Sequence, residues 1–88
     1  MKILVTGAAG FIGFNFSNYL LLTNKSFKIF GIDNMNTYYD VNLKKKRLKI
    51  LKKFKNFEYF KIDINNQQKL EKLFKKKKFD FVFNLAAQ

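Results

Sequence analysis

Apolar and polar positions along the chain fall into seven short blocks whose period changes from one block to the next. Residues 2–6, KILVT, are a brief apolar run rich in β-branched side chains that stops at a glycine, the pattern of a buried strand. From Phe11 to about Leu22, the positions Ile12, Phe16, Tyr19 and Leu20 follow an i, i+4, i+7, i+8 spacing, which predicts a helix that buries this face. FKIFGID at 27–33 predicts a second strand closing on Asp33, and NMNTYYD at 34–40 reads as loop. Asp40 is a suitable N-cap for a basic helix running to about Lys53, with Leu43, Ile50, Leu51 and Phe54 as its apolar stripe. FEYFKID at 57–63 alternates as a strand does. Residues 66–77 place Leu70, Leu73 and Phe74 on one helical face, and FDFVFNLAA at 79–87 predicts a fourth strand.

The resulting order is β-α-β-α-β-α-β with short connections. Strict alternation of this kind predicts an α/β fold, a parallel sheet with helices on both faces. No internal repeat, low-complexity linker or composition shift divides the chain, so residues 1–88 read as one domain. A doubly wound sheet normally continues past its fourth strand. The expectation is therefore the N-terminal portion of such a domain, in a partial chain.

Composition narrows the chemistry. An apolar fraction of 48% with 18% aromatics suffices for a core, although a chain this short buries only about 60–65% of its unfolded surface. Cysteine and histidine are both absent, which excludes disulfides, thiolate nucleophiles, the usual zinc sites and imidazole acid–base catalysis. The apolar run near the start ends at Thr6-Gly7, too soon for a signal peptide, and no stretch approaches a membrane span. A soluble, cytoplasmic protein is expected, with no membrane partner.

The net charge of +12 raises the question of nucleic acid. Its clusters, KKKR at 44–47, Lys52-Lys53 and KKKK at 75–78, each lie beside apolar residues at helical spacing, which reads as solvated helix faces. A basic nucleic-acid-binding protein remains the alternative from another class. It would interleave aromatics with lysines on one exposed face, whereas the phenylalanines here fall mostly at core-facing positions. No specific nucleic-acid partner is expected.

Gly7, Gly10 and Gly13 follow the first strand and open the first helix, the context in which a glycine cluster points to a dinucleotide. Gly7 can take the positive φ of the turn, Gly10 leaves the backbone bare where a pyrophosphate approaches, and Gly13 allows close helix packing. The helix N–H groups and the positive end of its dipole then meet the phosphates. Asp33, twenty residues after Gly13 at the end of the second strand, is placed to accept from the adenosine ribose. A carboxylate there repels a 2′-phosphate and no arginine stands near in sequence, so NAD is expected over NADP.

TGAAGFIG at 6–13 departs from G-x-G-x-x-G and resembles the extended short-chain dehydrogenase/reductase family, the NAD-dependent sugar epimerases and dehydratases. The resemblance covers all 88 residues and implies a Rossmann-type fold. It implies that Phe11 and Ile12 supply phosphate-binding amides, that Asp33 and Asn34 hold the adenosine ribose, and that Asn36 lies on the phosphate side. Asp63 and Ile64 look like the family's adenine-binding pair. Leu85, Ala86 and Ala87, in NLAA, are similar to the strand end beneath the pyrophosphate and nicotinamide ribose. The stretch DNMNTYYDVNLKKKRL at 33–48 looks most like the UDP-glucuronate 4-epimerase branch; UDP-glucose 4-epimerases and nucleotide-sugar 4,6-dehydratases share the earlier motifs. Full-length members of the family are expected to be homodimers acting on a nucleotide sugar.

The family's base is a tyrosine in Tyr-x-x-x-Lys. Four residues after Tyr19, Tyr38, Tyr39 and Tyr59 stand Thr23, Asn42, Leu43 and Asp63, none of them lysine. The sequence thus offers a cofactor site and no catalytic or metal-ligating residue.

Overall fold

The computed structural model describes residues 1–35 and 41–86. Its elements are β1 (Lys2–Thr6), α1 (Phe11–Thr23), β2 (Lys28–Ile32), α2 (Val41–Leu51), β3 (Phe57–Phe60), α3 (Gln67–Lys77) and β4 (Phe81–Asn84). The four strands form one parallel sheet in the order β3-β2-β1-β4, so the chain moves outward through β2 and β3 and then crosses back to the far side of β1. This is the doubly wound arrangement that the alternation predicts.

The period of two along each strand divides the core between the two faces. Ile3 and Val5 of β1, Ile29 of β2 and Phe57 of β3 share one cluster with Leu21 of α1 and with Leu48 and Leu51 of α2. Leu4, Phe30 and Ile32 point the other way and pack with Ile62 and with Leu73 of α3. Two helices therefore cover one face and the third covers the other.

The later strands are shorter than their sequence patterns. β3 ends at Phe60 because its partner Ile32 is the last residue of β2; beyond that point no strand remains to receive Lys61 to Asp63. Similarly, β4 ends at Asn84, opposite Thr6, where Gly7 turns β1 away. At its start, Asp80 is pinned by the backbone of Lys2, accepting from the Lys2 amide at 2.7 Å and donating its own N–H to the Lys2 carbonyl at 2.8 Å.

The first two helices are rotated relative to their expected faces. α1 buries Gly13, Ser17 and Leu21, while Ile12 and Tyr19 are exposed and Phe16 and Leu20 are half-buried. The helix is apolar on nearly every side, so its pattern leaves rotation open, and the close seat of Gly13 on the turn decides it. α2 buries Lys44, Leu48 and Leu51, leaving Leu43 and Ile50 exposed. In α3, Leu73 is buried and Leu70 half-buried, but Phe74 is exposed and meets Phe79 edge-on. Asn66 caps α3, its side chain accepting from the Lys69 amide at 3.1 Å. Phe11, Phe81 and Phe83 also lie at the surface, against the expectation that phenylalanines mark the core. The proposed cap Asp40 and the Tyr38-Tyr39 pair lie outside the described residues.

Candidate functional site

The turn between β1 and α1 is shaped by close backbone contacts that only small residues permit. Gly7 has φ +70°, and a Cβ there would come within 2.7 Å of the Ala86 Cα, so the segment after β4 lies directly against it. A methyl at Gly13 would overlap the Gly7 carbonyl oxygen; the close approach is to the turn itself. The N–H groups of Gly7 and Ala8 both donate to the Ile32 carbonyl, at 2.9 and 3.1 Å, tying the turn to the end of β2. At Gly10 a Cβ would meet, among the described residues, the Gly7 oxygen alone, at 3.3 Å.

Gly10 is the N-cap of α1 and has no side chain to close it. The Phe14 N–H returns to the Gly10 carbonyl at 2.9 Å, but no acceptor among the described residues takes the N–H groups of Phe11, Ile12 or Gly13. These are the free donors of a helix start, at its positive end, where anions are favoured.

Asp33 stands beside this turn and is 6% exposed. One carboxylate oxygen accepts from the Ala9 amide at 3.1 Å; the other accepts from the Met35 amide at 2.8 Å and from Lys44 Nζ at 3.2 Å. An ionised carboxylate has about four acceptor positions, so these three bonds leave one for a further donor. Arg47, one turn beyond Lys44 on α2, donates to the Ala9 carbonyl at 3.1 Å and lies 5.9 Å from the Phe11 ring centroid. The Ala9 residue is thus gripped at its N–H by Asp33 and at its C=O by Arg47. The expectation that no arginine stands near is corrected here: α2 carries Arg47 across sequence to the glycine turn. Lys44 and Arg47 are likewise not part of a solvated face, though Lys45 and Lys46 are.

Two further groups complete the arrangement. The Tyr59 hydroxyl donates to the Asp33 backbone oxygen at 3.0 Å. Burial, and then the negative charge of Asp33, push the phenol up to about 12. The Thr6 hydroxyl donates to Asn84 Oδ1 at 2.5 Å and accepts from the Ala86 amide at 3.2 Å, which seats Leu85 and Ala86 next to Gly7.

Of the residues singled out in the sequence, the fold brings Gly7, Gly10, Phe11, Ile12, Gly13, Asp33, Leu85 and Ala86 to the C-terminal ends of β1, β2 and β4. That is the switch point where an open parallel sheet binds ligands. Asn34 follows Asp33 and is half-buried. Asp63 is exposed, with one oxygen accepting from the Asn65 amide at 2.9 Å, and Ile64 packs on the α3 side of the sheet. Asn36 and Ala87 lie outside the described residues. Lys44, Arg47, Thr6 and Tyr59 were not legible as site residues from sequence. For Lys44 and Arg47 a signal was present, the lysine and arginine three apart in the stretch at 33–48 that carries the branch resemblance, but it did not mark them as site residues.

A family model described as GDP-mannose 4,6 dehydratase matches residues 4–88. The chain belongs to this family. A UDP-glucuronate 4-epimerase of Thermodesulfobacterium geofontis is 46% identical over 85 residues, covering 97% of this chain and 26% of that protein. The structure of UDP-glucuronic acid 4-epimerase from Bacillus cereus, in complex with UDP-glucuronic acid and NAD, superposes with a TM-score of 0.85 at 39% identity, over 99% of this chain and 26% of the other. A dTDP-glucose 4,6-dehydratase from Bacillus anthracis, in complex with NAD, gives 0.86 at 34% identity, over 100% of this chain and 27% of the other. The chain spans about a quarter of the length of these relatives. Among the described residues, no helix is long and apolar enough to cross a membrane.

Proposed function

We propose that this chain is the NAD-binding portion of a nucleotide-sugar epimerase, with UDP-glucuronate 4-epimerase as the specific reading. The observation that carries the cofactor assignment is the set of three free N–H groups at Phe11, Ile12 and Gly13, beside a buried carboxylate with one acceptor position left. The amides suit a pyrophosphate and the carboxylate suits a ribose hydroxyl, so the residues present fit the dinucleotide. Asn34 and Asn36 would assist at the ribose and phosphates, Asp63 and Ile64 at the adenine, and Leu85, Ala86 and Ala87 beneath the nicotinamide half. NAD in this place would supply the acceptor for the hydride at C4 of the sugar, which epimerisation removes from one face and returns to the other. This chain's own part is to bind and orient the cofactor; no tyrosine within residues 1–88 stands four before a lysine to act as base.

The branch reading is supported by the motif at 33–48, whose lysine and arginine both enter the site, and by the identity to epimerases of UDP-glucuronate. The same cradle would serve a UDP-glucose 4-epimerase or a nucleotide-sugar 4,6-dehydratase, and the likeness to a dehydratase structure keeps that second reading in view. A cytoplasmic homodimer acting on a UDP-sugar is the whole-protein form of the proposal.

Titration calorimetry tests the cofactor assignment. NAD is expected to bind more tightly than NADP, and Asp33→Ala to weaken NAD by about 1–3 kcal/mol, the range for hydrogen bonds to charged groups. Equal affinity for the two nucleotides, or undiminished binding by the variant, would contradict it.

A further inference from the structure

We infer that Arg47 is a positioning residue for the pyrophosphate of a bound dinucleotide, acting through the backbone on either side of Gly10 and not by touching the phosphates. The inference rests on the reading of this turn as a dinucleotide site and assigns the part that α2 plays in it. Gly10 immediately precedes the free amides of Phe11, Ile12 and Gly13. A glycine has the widest choice of backbone conformations, so the direction in which those amides point is costly to fix. Phe11 and Ile12 are exposed, so packing of their own side chains does little to orient this first turn.

The chain fixes the turn from both sides of the glycine. Before it, the Ala9 N–H donates to Asp33 Oδ2 at 3.1 Å. The next peptide plane carries the Ala9 carbonyl and the Gly10 N–H together. Its oxygen accepts from Arg47 Nη1 at 3.1 Å, and its N–H donates to the Gly7 carbonyl at 3.0 Å. After the glycine, the Arg47 guanidinium lies 5.9 Å from the centroid of the Phe11 ring, within cation–π range. Arg47 thus spans Gly10 as a splint, holding the carbonyl before it and the ring after it. The conformation it holds, φ −74° and ψ 169°, is that of a helix N-cap. A guanidinium suits the task, being planar, permanently charged and armed with donors in a fixed fork. Amides already aimed at a ligand need not be ordered when the ligand arrives, and affinity gains accordingly.

The experiment has two readings on the 88-residue chain. The first is NAD affinity at low and at high salt. Arg47→Met should weaken NAD about tenfold, the worth of one hydrogen bond to a charged group, and by the same factor at both salts. The second is amide exchange of the unliganded chain followed residue by residue. The variant should speed exchange at Ala9 and Gly10 and leave the amides of β1 and β2 as they are. Arg47→Lys, which keeps a donor but not the planar fork, is the milder second variant and should show the same changes to a smaller extent. Unchanged NAD affinity would overturn the inference. So would a loss that disappears at high salt, the mark of distant charge attraction, or exchange that quickens across the sheet, the mark of general destabilisation. In each of these cases the cofactor reading stands. Failure of the wild-type chain to bind NAD would instead overturn the cofactor reading and this inference with it.

Discussion

The Tyr59 hydroxyl donates to the backbone oxygen of Asp33, so ionising it removes a donor from beside a buried negative charge. Its folded pKa is raised from the ordinary 10.0 to about 12, chiefly by burial. The unfolded chain therefore gives up this proton first. The stabilising contribution is complete below about pH 10 and is lost as pH rises toward about 12. In denaturant titrations Tyr59→Phe should flatten part of the alkaline decline in stability; an unchanged decline would show that folding does not raise the phenol's pKa. At this scale the sequence was informative about backbone-determined residues and much less so about long side chains. Gly7 needed its positive φ, and Asp33 had a position fixed by the end of a strand. Lys44 and Arg47 looked like their neighbours Lys45 and Lys46, because which lysine in a run turns inward depends on a carboxylate eleven residues away.

Among the described residues, β4 pairs with β1 alone, so in the 88-residue chain its outer edge has no partner strand. Its Phe81, Val82 and Phe83 are exposed by 52%, 47% and 38%, and the run carries no charge or proline. Edges of this kind pair with other chains. The net charge of +12 opposes association, but at ordinary salt it is screened over about 8–10 Å while apolar contact is not. The 88-residue chain is thus expected to self-associate with rising concentration in sedimentation experiments, and Val82→Lys to return it toward the monomer. A wild-type chain that stays monomeric throughout would refute the edge argument. The helices show where pattern reading stops: their existence and order followed from periodicity, whereas their rotation did not. α1 is apolar nearly all round and is oriented by Gly13, and α2 is turned by an ion pair that draws Lys44 inside.

Across the whole molecule, alternation of short strands and helices was enough to read a parallel sheet with helices on both faces, and the glycine cluster pointed to the end of it that carries the candidate site. The lysine-rich helices α2 and α3 lie on opposite faces of that sheet, so their charges do not form one continuous surface. The glycine turn presents unpaired amides beside Asp33, and in the proposed function the two together hold a dinucleotide. Hydrogen exchange of backbone amides, followed by mass spectrometry at low protein concentration with and without saturating NAD, tests it most directly. Amides without acceptors exchange quickly, so NAD should slow exchange in peptides covering residues 7–14, with smaller effects at 31–35 and 84–86 and none along the lysine faces of α2 and α3. Unchanged exchange at 7–14 under saturation, or protection confined to the lysine-rich helices, would contradict the account.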